Sequence, residues 1–541
     1  MRVTNKMIMN NASSNINGTK ETVNKRNTQM TSQKKIDRPS DDPVVAVRSL
    51  RLSTTLSQVT QYYSKNIPDA DQWLDVTETA LINMRDIVKD CKELSTKGAQ
   101  DTNNQDDRKT ILTQLESLQK QLYAEGNADY ANRTVFTGYR TDSNLTFTED
   151  ELQTKYRIDQ SISVEAAMEE KRYYSGHVEI PTTEEEVLAP SLNETDSKIS
   201  DMERTNYYRV RLAYDKIDSV NSLKFKYSDG TEISYEYTED DDGVFENNLG
   251  SSATDAGSGF SFTVYETESE WAEADANGVK KIDENSIVLI RKTGDLIFGE
   301  KVAATLKAKS ATIDVQYDKT GFEDGQLRPE YYYNCTKMID ETGAKLEKNN
   351  TYTKFDSTGK QINFDIEYTI AANQTIAINT EASNVFDSSL QRDLGEMIES
   401  VRRTINAYDN LETVKSMMSE TQYASDQDQK WLEQWRDAVQ KEFDYFFDDM
   451  QKLFNTEIGK TTKYYDKISL ALTDLGCKGE SLSLTKTRVG DQRETVQDLQ
   501  SKNDDVDLSQ IIIDYTAAYT AYQASLTAAG KLSDSTLLNY I

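Results

Sequence analysis

Histidine and cysteine are scarce in this sequence. One histidine, His177, occurs in 541 residues, and the three cysteines, Cys91, Cys335 and Cys477, are far apart. A single histidine cannot build a multi-histidine metal site or act beside a second histidine in catalysis. Three widely spaced cysteines form neither a disulfide framework nor a CxxC metal site. The composition therefore excludes catalysis by a histidine pair and metal sites of several histidines or of a CxxC motif, and we interpret Cys91 as a small apolar residue on a helix face.

Long apolar runs and an excess of basic charge are also missing. The longest aliphatic run is Ile287–Ile290, which is far too short to span a membrane. The start, M-R-V-T-N-K-M-I-M-N-N, has no apolar signal core, so an exported chain would use a route that reads no cleavable signal peptide. Acidic residues number 92 against 62 basic ones, and the net charge is -30. This charge repels nucleic acid and anionic membranes, and neither is expected as a partner.

The acidic segments do not form a recognisable catalytic or metal-binding motif. T-E-D-D-D-G-V-F-E resembles part of a calcium loop, but with Gly243 at the turn the first and last ligand positions fall on Thr238 and Leu249. Neither side chain can serve there. Paired carboxylates for glycoside hydrolysis stay open, because with 92 acidic residues no particular pair is informative.

The six prolines are unevenly distributed, and so is the type of sequence. Residues 1 to about 140 and 385–541 show helical spacing, whereas the middle is rich in Tyr, Thr, Gly and Asp with alternating apolar residues. The predicted fold is mainly α with a β-rich insert, in which N- and C-terminal helices form a coiled-coil or helical-bundle stem and antiparallel β domains are inserted in the middle. The predicted domains are 1–36 with 505–541 as a terminal coiled-coil assembly core, 37–140 with 385–504 as a helical bundle that includes an additional helical insertion at about 415–470, and 141–384 as the β-rich outer part.

Both ends of the chain carry a heptad stripe, but the first one is thin. A helix is predicted from about Thr4 to Ser32 and another over the C-terminal stripe. Burying four side chains is worth roughly 6–10 kcal/mol, whereas ordering about 30 residues costs on the order of 30 kcal/mol in backbone entropy. The first helix therefore needs partner helices, and we predict that the two stripes form an assembly interface. Its residues are Met9, Ile16, Val23, Met30, Ile511, Tyr515, Ala518, Tyr522, Ala529 and Leu532.

The segment D-R-P-S-D-D-P at 37–43 breaks the helical pattern near the N-terminus. Pro39 disfavours helical geometry at the residue before it. Asp42 is a good N-cap and Pro43 suits the first helical position, while Ser40 and Asp41 add oxygen acceptors and negative charge at the helix start. We interpret the segment as an inter-helix break. Its simplest role is that of a turn between two helices.

Four further local signals lead to predictions. Pro68 should interrupt or kink the helical pattern that follows the break. Asp229-Gly230 should form the turn of a β-hairpin, and a second hairpin is predicted over 361–379. A helix from about Asp387 to Leu475 should end in a turn at Gly476 and Gly479.

An ordered set of motifs at the two ends is similar to a known family. The N-terminal motifs are M-R-V-T-N-K-M, D-R-P-S-D-D-P-V-V-A, D-D-R-K-T-I-L-T-Q-L at 106–115 and T-V-F-T-G-Y-R-T at 134–141. The C-terminal ones are T-K-T-R-V-G-D-Q-R, N-D-D-V-D-L-S-Q-I, Y-Q-A-S-L-T-A-A-G-K-L and S-D-S-T-L-L-N-Y-I. Over about 1–145 and 380–541 the chain resembles the flagellin-like axial proteins of the bacterial flagellum. Pro43 and the C-terminal ending make it most similar to the hook–filament junction members.

The resemblance implies a secreted, self-assembling, non-enzymatic structural protein of the flagellum, at the junction of hook and filament. We accordingly predict no catalytic residues, no metal and no cofactor. The implied partners are copies of itself, the preceding hook-associated protein, flagellin and an export chaperone, and the implied export route is the flagellar type III channel. The alternatives are a divergent flagellin, another hook-associated axial protein, or an axial protein with an enzymatic or adhesive insert. The middle of the chain is larger than expected for the family.

Overall fold

A computed structural model describes residues 5–175, 178–181, 184–187, 199, 203–236, 253–254, 260–273, 282–339, 347–356 and 358–534. The predicted fold class is confirmed, with long helices from both ends of the chain and antiparallel sheets from its middle. The chain divides into two compact units. The first unit contains Met1–Gln72, Glu367–Ala377 and Cys477–Ile541, and the second contains Trp73–Ile366 and Ile378–Gly476. His177 and the acidic segment 238–249 lie outside the described residues.

Long helices make up most of both ends. A π-helical turn, Tyr62–Asn66, follows the second helix immediately before Pro68, whose missing N–H interrupts the regular bonding. The helices are α1 (Asn5–Ser32), α2 (Pro43–Gln61), α3 (Ile67–Gly98), α4 (Gln105–Gln121), α5 (Val164–Ala167), α6 (Glu184–Val187), α7 (Glu268–Glu273), α8 (Glu300–Ala308), α9 (Ala382–Val385), α10 (Leu390–Ser419), α11 (Asp426–Asp504) and α12 (Leu508–Asp534).

The strands occupy the middle of the chain. They are β1 (Asp129–Tyr130), β2 (Arg133–Thr134), β3 (Thr154–Ser163), β4 (Glu169–Ser175), β5 (Glu203–Arg211), β6 (Ser219–Lys226), β7 (Glu232–Glu236), β8 (Ala253–Thr254), β9 (Ser261–Tyr265), β10 (Ser286–Ile290), β11 (Asp295–Phe298), β12 (Thr312–Lys319), β13 (Asn334–Ile339), β14 (Glu347–Tyr352), β15 (Glu367–Ala371) and β16 (Gln374–Ala377).

In the first unit, the segment 33–42 separates α1 from α2. Asp42 caps α2, because its Oδ1 accepts hydrogen bonds from the backbone N–H groups of Val44 (3.0 Å) and Val45 (3.2 Å), and Pro43 occupies the first turn. The Asp41 Oδ2 accepts from the backbone N–H of Arg38 at 3.2 Å and thereby closes the preceding turn. In this break, aspartate side chains thus accept hydrogen bonds from backbone N–H groups that have no partner within a helix.

The helix α2 packs on the last part of α11, within the first unit. The Ser49 hydroxyl donates to Asp504 Oδ2 at 2.8 Å, and the Asn503 side-chain amide donates to the Val45 carbonyl at 3.2 Å. Ala46 and Val59 on this face are buried. The hairpin of β15 and β16 belongs to the same unit and starts at Glu367, five residues later than the alternation from Ile362 had suggested.

The predicted turn at Gly476 and Gly479 is wrong, since α11 continues without interruption from Asp426 to Asp504. Each glycine in a helix costs about 1 kcal/mol relative to alanine. A buried side chain at every seventh position outweighs this cost. These positions are Phe454, Thr461, Ile468, Leu475, Leu482, Val489, Val496 and Asn503. The break that does occur lies earlier, at 420–425, between α10 and α11.

In the second unit, two six-stranded sheets share one hydrophobic core. The strand orders are β4-β5-β11-β10-β9-β8 and β14-β13-β3-β12-β6-β7, and neighbours are antiparallel except β9 and β10. The predicted Asp229-Gly230 hairpin is confirmed, with Phe225 opposite Ile233 and Gly230 at a φ of +83°. Side chains from both sheets fill the core, including Tyr156, Phe225, Phe262 and Phe298.

The helices of the second unit bury a separate set of apolar residues. α3 contributes Trp73, Met84 and Cys91, and α10 contributes Leu394 and Met397, all fully buried. Cys91 therefore acts as an apolar residue, as predicted, and burial raises the pKa of its thiol to about 12. Among the described helices, none combines the length and apolar character that crossing a bilayer requires.

Candidate assembly surface

The two terminal helices pack against each other in the first unit. They run antiparallel, since Arg26 of α1 pairs with Asp514 near the start of α12 at 3.5 Å while Lys34 pairs with Asp505, just before that helix. The hydrogen bond from Lys34, together with Ser501, lowers the pKa of the Asp505 carboxyl. Backbone bonds from Lys35 to the Asp504 carbonyl (2.7 Å) and from Val506 to the Gln33 carbonyl (3.0 Å) hold the ends of the two helices together.

The predicted interface residues lie mainly on the less exposed sides of these helices. On α1, Ile16, Val23 and Met30 are half-buried, whereas Met9 is exposed. On α12, Ile511 is buried, and the residues that follow it along the stripe are half-buried. These residues are Tyr515, Ala518, Tyr522 and Ala529. Leu532 lies within α12, but its side chain is outside the described part. The structure therefore places the two stripes where the helices meet.

The outer face of α12 is apolar and exposed, and the sequence analysis missed it. Ile512 and Ile513 are exposed beside buried Ile511, and Ile513 is 61% exposed. These two side chains border a shallow groove of about 710 Å³ that is otherwise lined by small residues. Those are Thr516, Ala517, Thr520, Ala521 and Ala524. The run Ile511–Ile513 was the available signal, since three successive residues of a helix cannot all face one partner.

The helix α2 carries a second exposed apolar patch that the sequence analysis also missed. Val44, Val47 and Leu50 follow one another at three-residue spacing, and each is at least half exposed. The opposite face of α2 holds Ala46 and Ser49 against the end of α11. Exposed apolar patches of this kind mark interaction surfaces.

This arrangement is suited to binding other helices rather than to chemistry. Within α12, residues 515–530 contain no charged side chain, so this stretch presents aliphatic, hydroxyl and aromatic groups and the single amide of Gln523. Within the described residues, no group of three or more His, Cys, Asp or Glu side chains could hold a metal ion. A two-helix pair with apolar outer faces can bury those faces only against further helices.

A dense cluster of charged side chains lies in the second unit and joins strands to a helix. Arg209 on β5 is 3% exposed and pairs with Glu169 and Glu396 at 2.6 Å each and with Asp295 at 3.4 Å. Burial would raise the pKa of Glu396, but Arg209, Lys171 and Arg211 outweigh it and hold that pKa well below its usual value. Because these acids are engaged with buried cations, we interpret the cluster as a structural connection between β4, β5, β11 and α10.

Comparison with known proteins identifies the N-terminal part. Residues 3–141, which contain α1 to α4, match the bacterial flagellin N-terminal helical region. Flagellar hook-associated protein 3 of Salmonella typhimurium is 28% identical over 144 residues, which are 26% of this chain and 45% of that protein. Its Escherichia coli counterpart is 29% identical over 116 residues, which are 21% of this chain and 36% of that protein. The matched segment thus spans less than half the length of either relative.

A solved structure of flagellar hook-associated protein 3 from Legionella pneumophila aligns over 83% of this chain and 97% of its own length, with 10% identity and a TM-score of 0.28. The resemblance predicted from the terminal motifs is confirmed by the family and sequence matches.

Proposed function

We propose that this chain, which carries a flagellin N-terminal helical region homologous to flagellar hook-associated protein 3, is a structural component of the bacterial flagellum that links the hook to the filament. The observation that supports this most directly is that the matched segment contains α1, and that α1 packs on α12, whose outer apolar face is exposed within the described part of the chain. A protein with such a surface is built to join copies of itself.

The assembly is driven by burial of the outer faces of α12 and α2. Complete burial of one Val, Leu, Ile or Met side chain contributes about 1.5–3 kcal/mol. Ile512, Ile513, Val44, Val47 and Leu50 are all available for this in the single chain. Neighbouring subunits then supply the contacts that offset the entropy of ordering α1 and α12.

The proposed partners are copies of this chain, the preceding hook-associated protein, flagellin and an export chaperone. Its proposed place is outside the cell, at the hook–filament junction, which it reaches through the flagellar type III export channel. Two features support the junction over the filament itself. They are the similarity to flagellar hook-associated protein 3 and the proline at position 43, the first residue of α2.

The position of the protein on the flagellum tests this proposal. Labelled antibody against the chain should stain one site per flagellum, at the boundary of hook and filament. A deletion strain should show hooks without filaments in electron micrographs. Staining along the whole filament would overturn the junction assignment and favour a flagellin. Normal filaments in the deletion strain would overturn the proposed function altogether.

A further inference from the structure

One turn of the second unit directs two large side chains outward from a buried base. The turn lies in T-V-F-T-G-Y-R-T, where Val135 and Phe136 are fully buried. Gly138 has a φ of +66°, and a Cβ on it would lie 3.3 Å from the Glu381 side chain beneath. Glycine is therefore required at this position, and the chain reverses there so that Tyr139 reaches the surface.

Tyr139 and Arg140 belong to an exposed cluster that we call the aromatic patch, which consists of Tyr139, Arg140, Tyr352 and Phe364. The rings of Tyr139 and Phe364 meet edge to face with centroids 4.8 Å apart, yet the two residues are 49% and 51% exposed. The Arg140 guanidinium lies 4.1 Å from the Tyr352 ring centroid and 5.3 Å from that of Tyr139. Its Nε–H donates to the Tyr139 hydroxyl at 3.1 Å.

Arg140 has a cationic group for which the described residues supply no carboxylate. It forms no ion pair within this part of the chain, and its Nη1 is buried without an acceptor. The carboxylate under the turn, Glu381, accepts instead from Lys354 and from Gln361 (2.6 Å). Glu330 also lies in this region, since it raises the pKa of the Tyr331 hydroxyl while Arg140 lowers it. The carboxylate of Glu330, however, pairs with Arg328 at 3.7 Å.

A half-buried cation without a counter-ion is unusual in a chain whose acidic residues outnumber its basic ones by 30. Tyrosine and arginine are also the residue types that dominate binding energy in protein interfaces. Aromatic rings half exposed beside a stacked guanidinium thus match the composition of an interface centre. The excess acid of the chain means that another copy offers the carboxylate that the patch lacks.

We propose that the aromatic patch binds a carboxylate-bearing surface of a second copy of this chain, in a contact separate from the terminal helices. This inference rests on the proposed function, in which copies of the chain assemble side by side. The partner's carboxylate pairs with Arg140, and apolar parts of the same surface cover the rings of Tyr139 and Phe364. In the assembled state, the patch adds lateral binding energy and orientation that the uncharged α12 face alone does not supply.

Site-specific photo-crosslinking on assembled flagella tests the proposal. The full-length chain carries p-benzoylphenylalanine in place of Tyr139 in one strain and in place of Leu152 in another. Leu152 is a suitable control because it is 75% exposed and belongs to the same unit. Irradiation should give covalent dimers of this chain from position 139 and at most about a tenth of that yield from position 152, which lies outside the proposed contact.

A second variant keeps the result interpretable. Arg140→Glu, combined with the probe at 139, should lower the dimer yield at least about tenfold, whereas Arg140→Lys should retain more of it. Both variants should keep a cooperative thermal unfolding transition, because Arg140 has no ion pair to lose and Val135 and Phe136 beneath the turn stay buried. No dimers from position 139, or cross-links from it to a different protein only, would overturn the inference. Antibody labelling at the hook–filament boundary in the same strain would show that the proposed function still stands.

Discussion

Arg26 of α1 and Asp514 of α12 come from opposite ends of the chain and form an ion pair at 3.5 Å. Both side chains are about one-third exposed, at 37% and 33%, so the pair contributes only about 0.2–1 kcal/mol. The apolar residues beside it, Ile16, Val23, Tyr515 and Tyr522, bury the larger surface. The apolar seam, and not the ion pair, therefore holds the two helices together.

The first prediction follows from the greater contribution of the apolar seam than of the Arg26–Asp514 ion pair. Ile16→Asp or Tyr515→Asp should abolish assembly, because a charge in the seam has no partner to offset its desolvation. Arg26→Ala should leave assembly intact, since it removes only an exposed pair. Sedimentation of the assembled protein measures polymerisation and distinguishes the variants. Normal assembly of either aspartate variant would contradict the role of the seam.

The second prediction concerns removal of a whole terminal helix. Deleting residues 1–33 or 507–541 should abolish assembly while the second unit stays folded, because its core residues all lie outside the deleted segments. Circular dichroism should show the loss of helix only, together with a retained cooperative thermal transition. A truncated protein that still supports filament growth on hooks would refute the assignment of both termini to assembly.

The third prediction addresses the charge cluster of the second unit. Arg209→Met should lower the free energy of unfolding by about 3–5 kcal/mol, because Glu169, Glu396 and Asp295 then lose a buried counter-charge. Lys301→Met is the matched control, since its pair with Glu284 is exposed and solvent-screened, so its loss should leave the stability nearly unchanged. Urea denaturation of the two variants makes the comparison. Equal midpoints would show that the cluster does not stabilise the fold.

The fourth prediction is a loss of stability at alkaline pH. Burial alone raises the pKa of Glu442 to about 7, and the Glu442 Oε2 has no hydrogen-bond partner among the described residues. Burial, together with Asp393, also raises the pKa of Glu457 to about 7. Unfolded glutamate has a pKa near 4.3. The stability from these protonated groups is therefore fully present below about pH 4.3 and is lost as the pH rises through about 7.

Glu169 behaves in the opposite way. Burial would raise its pKa, but Arg209 and Lys460 outweigh burial and lower it to about 2, so its contribution is present above about pH 4.3 and is lost as the pH falls through about 2.

Between pH 5 and pH 8, only the stability from protonated Glu442 and Glu457 is lost, so thermal unfolding should give a higher Tm at pH 5 than at pH 8. Glu442→Gln should reduce this difference by a few degrees, whereas Glu433→Gln, at an exposed position of the same helix, should not. A Tm for the parent chain that does not change with pH would contradict the buried, protonated state of Glu442.

Signals confined to a few neighbouring residues predicted the fold well. The Asp229-Gly230 hairpin and the outline of the terminal helices each depend on local backbone preference and spacing. The prediction of a turn at Gly476 and Gly479 was wrong because it too relied on local signals alone. Its local signal is real, but α11 is decided by the buried side chains on either side of the glycines, such as Leu475 and Leu482, which pack against distant segments.

The candidate surface was only partly accessible from the sequence. The stripe through Ile511, Tyr515 and Ala518 follows from its alternating spacing of four and three residues. The exposed outer side at Ile512 and Ile513 becomes visible only once the packing of α12 on α1 is known. The aromatic patch could not be found at all, since Tyr139 and Phe364 are far apart in the chain. The contact between their rings depends on the tertiary fold of the chain that connects them.

The sequence by itself determined the helical ends, the β-rich middle, the capped break at Asp42 and Pro43, and the exclusion of sites that need several histidines, because each depends on composition or on contacts between near neighbours. Only the tertiary structure decided which charges meet, as at Lys460, whose ammonium lies 3.0 Å from Glu169, 3.3 Å from Asp393 and 2.9 Å from Glu457. Two of these three carboxylates lie on other elements, β4 and α10, and one residue of slip in a strand register would turn its side chains to the opposite face. Such pairings depend on how the whole chain closes, which no local pattern specifies.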